Sequence, residues 1–186
     1  MITFASLFGV ALVTNIAHPA PLRAVLARAG LARAVAQPRL KPAAAIPPSE
    51  LPKQLVLALR KNNFPEVDAG LESMWDFSTD TTKFVFKNNR TEFIESAHKT
   101  AADFATSFYG MAMHGREWEL EGEMTMVGGD TADCWIAVQI MRIVSSDGRL
   151  RRWQWELRKQ RRPPLAGAWF VESIGSSDRL GNFEVD

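Results

Sequence analysis

Residues 149–174 constrain the fold strongly, because their pattern predicts two strands joined by a stiff turn. Between Leu150 and Lys159 apolar and polar side chains alternate, which is typical of a strand with one face in a core and the other in water. The inward residues would be Trp153, Trp155 and Leu157. Two prolines and a glycine then interrupt strand pairing before residues 168–174 return. The pattern therefore predicts an antiparallel hairpin with a cationic tip.

Two further strands are predicted before this hairpin. Four glutamates alternate with mostly apolar residues across residues 117–124, which is a one-sided strand pattern. Residues 131–144 fit a longer strand, in which Cys134 would face the opposite way from Trp135 and Met141. We expect Trp135 and Met141 to lie on the outer sheet face beside the glutamates, where apolar side chains need a cover.

The preceding part of the chain predicts helices. Apolar residues recur at helical spacing in residues 51–62 and again in residues 66–76. A third stripe predicts one long helix, and it is formed by Phe93, Ala97, Ala101, Phe104 and Phe108. Residues 82–86 fit a brief edge strand. This order predicts an α+β domain in which three N-terminal helices pack on a curved four- to five-stranded antiparallel sheet.

Residues 1–49 differ in composition from the rest of the chain. They contain five basic residues and no Asp or Glu, whereas the remainder holds 17 bases against 21 acids, a net charge of −4. The uncharged residues 2–17 have the size of a signal-peptide core, and the Ala- and Arg-rich residues 18–49 have the composition of an organellar transit peptide. The pattern favours a two-part plastid leader. A mitochondrial presequence, a membrane anchor and an ordered helix are the alternatives. The predicted domain is residues 50–175, followed by a polar tail at residues 176–186.

The C-terminal hairpin resembles the signature of a known protein superfamily. The residues that carry the resemblance are Trp155, Leu157, Arg161, Arg162, Pro163, Pro164, Gly167, Trp169 and Val171. They are similar to an uncharacterised plant, algal and bacterial family within the nuclear transport factor 2-like superfamily, also called SnoaL-like. The resemblance implies a cone-shaped α+β fold with a pocket, and it implies no particular reaction. Ala168 stands where the family pattern often has cysteine, which argues against a thiol role at that position.

The resemblance also implies which residues would line the cone. They are Tyr109, His114, Trp118, Cys134, Trp155 and Trp169. Isomerases, cyclases and dehydratases of the superfamily place an Asp or His base in this pocket, and here His114, Asp103 and Asp76 are the weak candidates. None of the three has a partner at a diagnostic spacing. Cys134 is the only cysteine and the chain has no metal-ligand or nucleotide-binding spacing, so we predict no metal site and no cofactor.

The cationic hairpin is a candidate partner surface. Seven basic residues lie within residues 149–162 and are interleaved with two tryptophans, a combination that nucleic-acid binding also uses. The net charge of −4 and the inward-facing tryptophans argue against nucleic acid. An acidic protein partner, an anionic headgroup and simple solvation all stay open. The partner-binding candidates are Trp135, Met141, Arg158, Arg161 and Arg162, and a homodimer across the outer sheet face is one arrangement.

The absence of a catalytic pairing favours a non-catalytic role without settling it. The leading hypothesis is a plastid protein-interaction or small-ligand-binding module, such as an accessory subunit of a larger complex, with no transmembrane span in the mature domain. The ligand in that hypothesis is a small apolar molecule. The alternative is a small-molecule isomerase, cyclase or dehydratase that uses the cone pocket.

Overall fold

The computed structural model describes residues 39–128 and 135–177, which form an α+β domain. The helices in this part of the chain are α1 (Leu51–Arg60), α2 (Ala69–Phe77), α3 (Asp80–Val85), α4 (Arg90–Ala101) and α5 (Phe108–His114). The strands are β1 (Glu117–Val127), β2 (Ile136–Val144), β3 (Leu150–Lys159) and β4 (Trp169–Ser176). The α+β class and the antiparallel sheet are therefore confirmed.

The four strands form one antiparallel sheet in the order β1-β2-β3-β4. Each strand pairs with its neighbour in sequence, so the connections are hairpins, as the alternating patterns predicted. In β3 the side chains of Trp153, Trp155 and Leu157 are buried, while the intervening residues are partly exposed. One face of the sheet therefore belongs to the core and the other meets solvent.

Helices α1, α2, α4 and α5 contact one another, and α5 lies against β2. Burial of large apolar side chains, worth roughly 1.5–3 kcal/mol each, is the main force that holds the helices on the sheet. Fully buried residues of this core include Leu51, Leu55, Leu71, Met111, Met141, Ile143, Trp155 and Leu157.

The inner face of β2 contains one polar residue, Gln139, which is 3% exposed. The pairing of β1 with β2 is irregular between Glu121 and Thr125, and Gln139 lies opposite this break. Its amide Nε2 donates to the backbone oxygens of Glu121 and Gly122 at 3.1 and 3.4 Å. These carbonyl groups satisfy the buried amide, so Gln139 can share the core face with Met141.

The prediction that Met141 lies on the outer sheet face is therefore wrong. Its side chain is fully buried, and it pairs across the sheet with the buried Trp153. It cannot contact a partner on the outer face. The partly exposed apolar residues on the outer face of β2 are Ile136, Val138, Ile140 and Val144.

The described part of the chain has five helices where three were predicted, partly because the predicted third helix is two helices. The α4 helix ends at Ala101, and α5 begins at Phe108. Between them, the carboxylate of Asp103 accepts the N–H groups of Ala105 and Thr106 at 3.1 and 2.9 Å. Ser107 then caps α5 by accepting the N–H of Gly110 at 2.9 Å. These side-chain bonds compete with helix continuation, which ends the predicted stripe early.

The predicted edge strand at residues 82–86 is wrong, because helix α3 occupies this position. Thr79 caps α3 by accepting the N–H of Thr82 at 3.3 Å. The segment before α3 covers the edge of β4 instead of extending it as a strand. Ser78 forms a single parallel bridge with Val171, and the hydroxyl of Thr82 donates to the backbone oxygen of Glu172 at 2.6 Å. The edge of β4 is thereby closed to further strand pairing here.

Residues 39–49, which the sequence analysis placed in the leader, include side chains that pack on the helices of the domain. The guanidinium of Arg39 forms ion pairs with Glu72 and with Asp76, the latter at 2.8 Å, and both acids lie on α2. Leu40 and Ile46 pack against the core. The predicted leader otherwise lies in residues 1–38, which are outside the described residues, as are residues 129–134 and the tail from residue 178.

None of the helices in residues 39–128 and 135–177 is long and apolar enough to cross a membrane.

Candidate functional site

The interior beneath the helices is filled by aromatic rings where the cone pocket was predicted. Trp155 is 0% exposed and Trp169 is 6% exposed. The ring of Phe108 stacks edge-on against both Trp153 and Trp155, with centroid distances of 5.5 and 5.2 Å. Tyr109 packs edge-on against Phe93 and Phe108. These rings belong to the packed core.

The other predicted pocket residues do not share a cavity with these rings, although Trp118 packs partly buried against the core. Trp118 lines a shallow hollow of about 340 Å³ at the β1 side of the sheet, together with Arg60 and Arg142. His114 lines a separate groove on the helical side. Cys134 lies outside the described residues. The predicted set therefore does not line one common pocket.

The three candidates for a catalytic base are engaged in structural contacts. Asp76 pairs with Arg39 at 2.8 Å and with Lys41 at 3.4 Å. Hydrogen bonds from the side chain and backbone of Thr106 hold the pKa of Asp103 below its usual value, so this carboxyl is a poor base. His114 stacks edge-on against Phe104 at 4.7 Å. No acid–base pair forms among these three residues.

The hairpin brings together a different group, which we call the Trp135 cluster: Trp135, Arg158, Lys159, Arg161 and Arg162. Trp135 immediately precedes β2, and its backbone oxygen accepts the N–H of Lys159 at 2.8 Å. The guanidinium carbons of Arg158 and Arg161 lie 5.4 and 5.9 Å from the centre of the Trp135 indole. Two cations therefore contact one indole ring, an arrangement stabilised by cation–π attraction.

The cluster is held by a well-bonded turn. The N–H of Gly167 donates to the backbone oxygen of Gln160 at 2.7 Å, and the N–H of Gln160 donates to that of Ala168 at 2.8 Å. The side-chain oxygen of Gln160 accepts the N–H groups of Arg161 and Arg162 at 3.0 and 3.3 Å. These bonds fix the backbone at Arg161 and Arg162 in the free protein. Less conformational entropy is therefore lost when the two arginines bind a partner.

The charges of the cluster are only partly compensated. Arg158 lies 3.4 Å from a carboxylate oxygen of Glu172. Arg161 and Arg162 are exposed and form no ion pair with a carboxylate in residues 39–128 or 135–177. The five cluster residues and Gln160 line a hollow of about 310 Å³. Guanidinium groups in this setting can donate charge-assisted hydrogen bonds to carboxylates.

The outer face of the sheet is a second exposed surface. Its apolar β2 row lies between the glutamates of β1 and the mixed charges of β3. Arg142 pairs with Glu119, and Arg152 pairs with Glu121 at 2.8 Å, so much of the charge on this face is satisfied within the chain.

Sequence reasoning missed one group on the helical side. His98 on α4 lies 2.8 Å from the carboxylate of Asp68, and His98 lines the same groove as His114. His98 and Asp68 are far apart in sequence and belong to no motif. Only their residue types, a histidine and a carboxylate, could have suggested that they pair. Their contact depends on how α4 packs over the loop before α2.

Among the described residues, no three His, Cys, Asp or Glu side chains lie close enough together to hold a metal ion. We found no protein-family model, curated protein or solved structure that matches the chain.

Proposed function

We propose that this protein is a non-catalytic interaction module that binds an acidic segment of a protein partner at the Trp135 cluster. The observation that carries the proposal is the pair of guanidinium groups on the Trp135 indole, with Arg161 and Arg162 lacking a carboxylate partner in the described residues. We further propose that the module acts within an organelle, most simply the plastid, as an accessory subunit of a larger complex.

An acidic peptide suits this surface for two physical reasons. Carboxylates accept paired hydrogen bonds from guanidinium groups, and such bonds are about twice as strong as neutral ones. The hollow of about 310 Å³ beside the indole has room for one apolar or aromatic side chain of the same peptide. The ordered turn limits the entropy lost on binding.

Nucleic acid fits less well. Stacking of successive bases needs a row of exposed rings, but Trp153 and Trp155 are buried beneath the sheet. Residues 50–186 also carry a net charge of −4, which opposes long-range attraction of a polyanion.

The alternative of an isomerase, cyclase or dehydratase has no specific support. It requires a base paired with an orienting group in a pocket; Asp103 and Asp76 are held in separate hydrogen bonds and ion pairs, and His114 lines the groove on the helical side with no acid partner among the described residues.

Membership of the nuclear transport factor 2-like superfamily stays part of the proposal. The antiparallel meander, the helices on one face and the hairpin residues named above support it. A plastid location is supported by the acid-free composition of the N-terminal residues. Fusion of residues 1–38 to a fluorescent protein tests it: plastid import is expected, and mitochondrial or cytosolic signal would contradict it.

The binding proposal is tested with a fluorescein-labelled peptide of alternating Glu and Phe, measured by fluorescence anisotropy. The double variant Arg161→Ala, Arg162→Ala removes two charge-assisted donors, each worth about 1.5–3 kcal/mol, so we expect the affinity to fall at least tenfold. Added salt should weaken binding to the unmodified protein.

The matched control is Arg149→Ala, which removes an exposed arginine from a different turn, where it pairs with Asp147 at 3.2 Å. It should leave the peptide affinity unchanged. A peptide of alternating Lys and Phe should not bind. Equal losses in Arg149→Ala and the double variant, or tighter binding to oligo(dT) or phosphatidylglycerol vesicles than to the acidic peptide, would refute the proposal.

We also propose that the outer sheet face docks a second copy of the chain, since the row Ile136, Val138, Ile140 and Val144 stays partly exposed in the monomer. Analytical ultracentrifugation tests this idea: a dimer is expected, and Ile140→Glu should convert it to a monomer because the charge would be buried unpaired. A monomer at every concentration of the unmodified protein would contradict it.

A further inference from the structure

A groove of about 890 Å³ lies where the end of α1 and the loop after it meet the ends of α4 and α5. We call it the His98 groove. Its volume is in the range of small-molecule sites. It shares no residue with the Trp135 cluster, so an inference about it does not depend on the function proposed above.

The charges in the His98 groove favour an anion. None of the described residues that line it is Asp or Glu. The guanidinium of Arg60 donates to the backbone oxygen of Gly115 at 2.6 Å and is thereby engaged. Lys61 lines the groove, and its ammonium forms no ion pair with a carboxylate among the described residues. An anion in this groove would meet Lys61 without displacing an existing ion pair.

The groove also presents apolar surface that is unusually exposed. Phe64 is 53% exposed and Phe104 is 48% exposed, and both rings line it. Phe104 is held in place by its edge-on contact with His114. Leu59, Ala101 and Met113 complete the apolar lining. Exposed aromatic rings that share a concave surface favour an apolar ligand, because burial of each ring is favourable.

His98 is oriented by a fixed support. Its Nε2 lies 2.8 Å from Oδ1 of Asp68, and the residue forms part of the groove wall. Asp68 has φ 62°, a left-handed conformation that a non-glycine residue seldom adopts. The amide of Asn62 donates to the same carboxylate oxygen at 2.8 Å, and Asn63 accepts the backbone N–H of Asp68 at 3.2 Å. These bonds hold the carboxylate, and through it the imidazole, at the wall of the groove.

We propose that the His98 groove binds a small amphipathic carboxylic acid. Its apolar body lies against Phe64 and Phe104, and its carboxylate lies at Lys61. A neutral apolar molecule would leave Lys61 without a counter-ion, and a small inorganic anion would leave the two phenylalanine rings exposed. A ligand with both parts would use both features of the groove.

The test uses the full chain with pyrenebutyrate as the probe and pyrenebutanol as its neutral analogue, measured by fluorescence anisotropy. We expect pyrenebutyrate to bind more tightly than pyrenebutanol. Lys61→Ala should weaken pyrenebutyrate about tenfold, the loss of one partly desolvated charge contact, and leave pyrenebutanol unchanged. Phe104→Ala should weaken both probes.

Lys53→Ala is the matched control, because Lys53 lies at the opposite end of α1 and pairs with Glu50 at 2.8 Å. It should leave both affinities unchanged. The imidazole proton resonances provide a second measurement, since the chain has only three histidines. Pyrenebutyrate should shift those of His98 and His114 and not that of His18, with the resonances assigned through His98→Gln and His114→Gln.

Four results would overturn the proposal. They are no pyrenebutyrate binding at millimolar concentration, equal affinity for the acid and the alcohol, an unchanged affinity in Lys61→Ala, and displacement of the probe by inorganic phosphate at an equal concentration. Arg161→Ala with Arg162→Ala should not affect pyrenebutyrate. This control separates failure of the groove from failure of the acidic-peptide site.

Discussion

Substitution of Gly70 by alanine should destabilise the protein, although alanine is the better helix former. Gly70 is the second residue of α2. A Cβ atom added there would lie 2.4 Å from the backbone oxygen of Ala58 on α1 and 2.9 Å from the side-chain oxygen of Asn62. The steric clash lowers the free energy of unfolding, and the conformational preference of alanine raises it. The larger of these two effects decides whether the variant is less stable.

The clash is with backbone atoms that cannot rotate away. To bring the Cβ to 3.0 Å from the Ala58 oxygen, α1 and α2 must separate by about 0.6 Å. The N–H of Gly70 donates to the Asn62 backbone oxygen at 3.1 Å and that of Leu71 to its side-chain oxygen at 2.9 Å, and both bonds would lengthen beyond a good range. Each is worth about 1 kcal/mol, and overpacking adds a similar amount. Alanine recovers at most about 1 kcal/mol, so we expect a net loss of about 1–3 kcal/mol.

Urea unfolding followed by tryptophan fluorescence measures this loss as a lower midpoint at an unchanged slope. Gly175→Ala is the matched control, because nothing lies within 4 Å of a Cβ added at Gly175. It should be neutral or slightly stabilising. If Gly70→Ala is as stable as the unmodified protein, the helices are not in the close contact on which this reasoning depends.

Three further predictions concern ionisable groups. Burial raises the pKa of Tyr109, whose ring packs against Phe93 and Phe108 although the residue as a whole is only partly buried. The stability that depends on its neutral phenol is complete below the unfolded-state pKa of about 10 and falls as pH rises above it. Tyr109 is the only tyrosine, so as the pH is raised the tyrosinate absorbance should appear together with the loss of circular dichroism on unfolding. Tyrosine ionisation near pH 10 in a protein that is still folded would contradict this prediction. Arg39→Ala should lower the free energy of unfolding in urea by roughly 1–3 kcal/mol, because it leaves Glu72 and Asp76 poorly compensated in a partly buried site. It should also speed proteolysis within residues 39–49. An unchanged unfolding free energy and proteolysis rate would show that this segment does not pack on the domain. Asp103 should titrate below 3.8 by NMR, and Thr106→Val should raise its pKa because a hydrogen bond to the charged form is lost.

The strands were predictable from sequence because their signal is local. Alternation in residues 150–157 determines which side chains share a face, and the turn residues determine where pairing stops. The helix errors had local causes as well, but of a kind that periodicity does not capture. Asp103 and Ser107 end one helix and cap the next through side-chain bonds, and Thr79 caps α3 in the same way.

The face of β2 could not be read correctly from its sequence alone. The alternation predicts Met141 on the outer face, but Met141 and the polar Gln139 share the buried face. Burial of Gln139 depends on backbone carbonyl groups of β1. Its side chain can reach them only because the pairing of β1 with β2 is irregular at that point. A polar residue can enter a core when another strand satisfies it, and that strand is not part of its local sequence.

For the candidate sites, the sequence identified the cationic residues Arg158, Arg161 and Arg162, but not their arrangement. The contact of Arg158 and Arg161 with Trp135 depends on the pairing of β2 with β3. The pairing of His98 with Asp68 depends on the packing of α4 against the loop before α2. Neither contact has a signature at fixed spacing.

The sequence by itself determined the α+β class, the antiparallel hairpins and the basic character of the β3–β4 turn, because these follow from side-chain periodicity and turn chemistry between near neighbours. The tertiary structure alone decided that aromatic rings fill the core beneath the helices, that residues 39–49 pack on the domain, and that no Asp or Glu of the described residues lines the His98 groove. The physical reason is that burial and ion pairing depend on distances between residues far apart in the chain, and only packing fixes those distances.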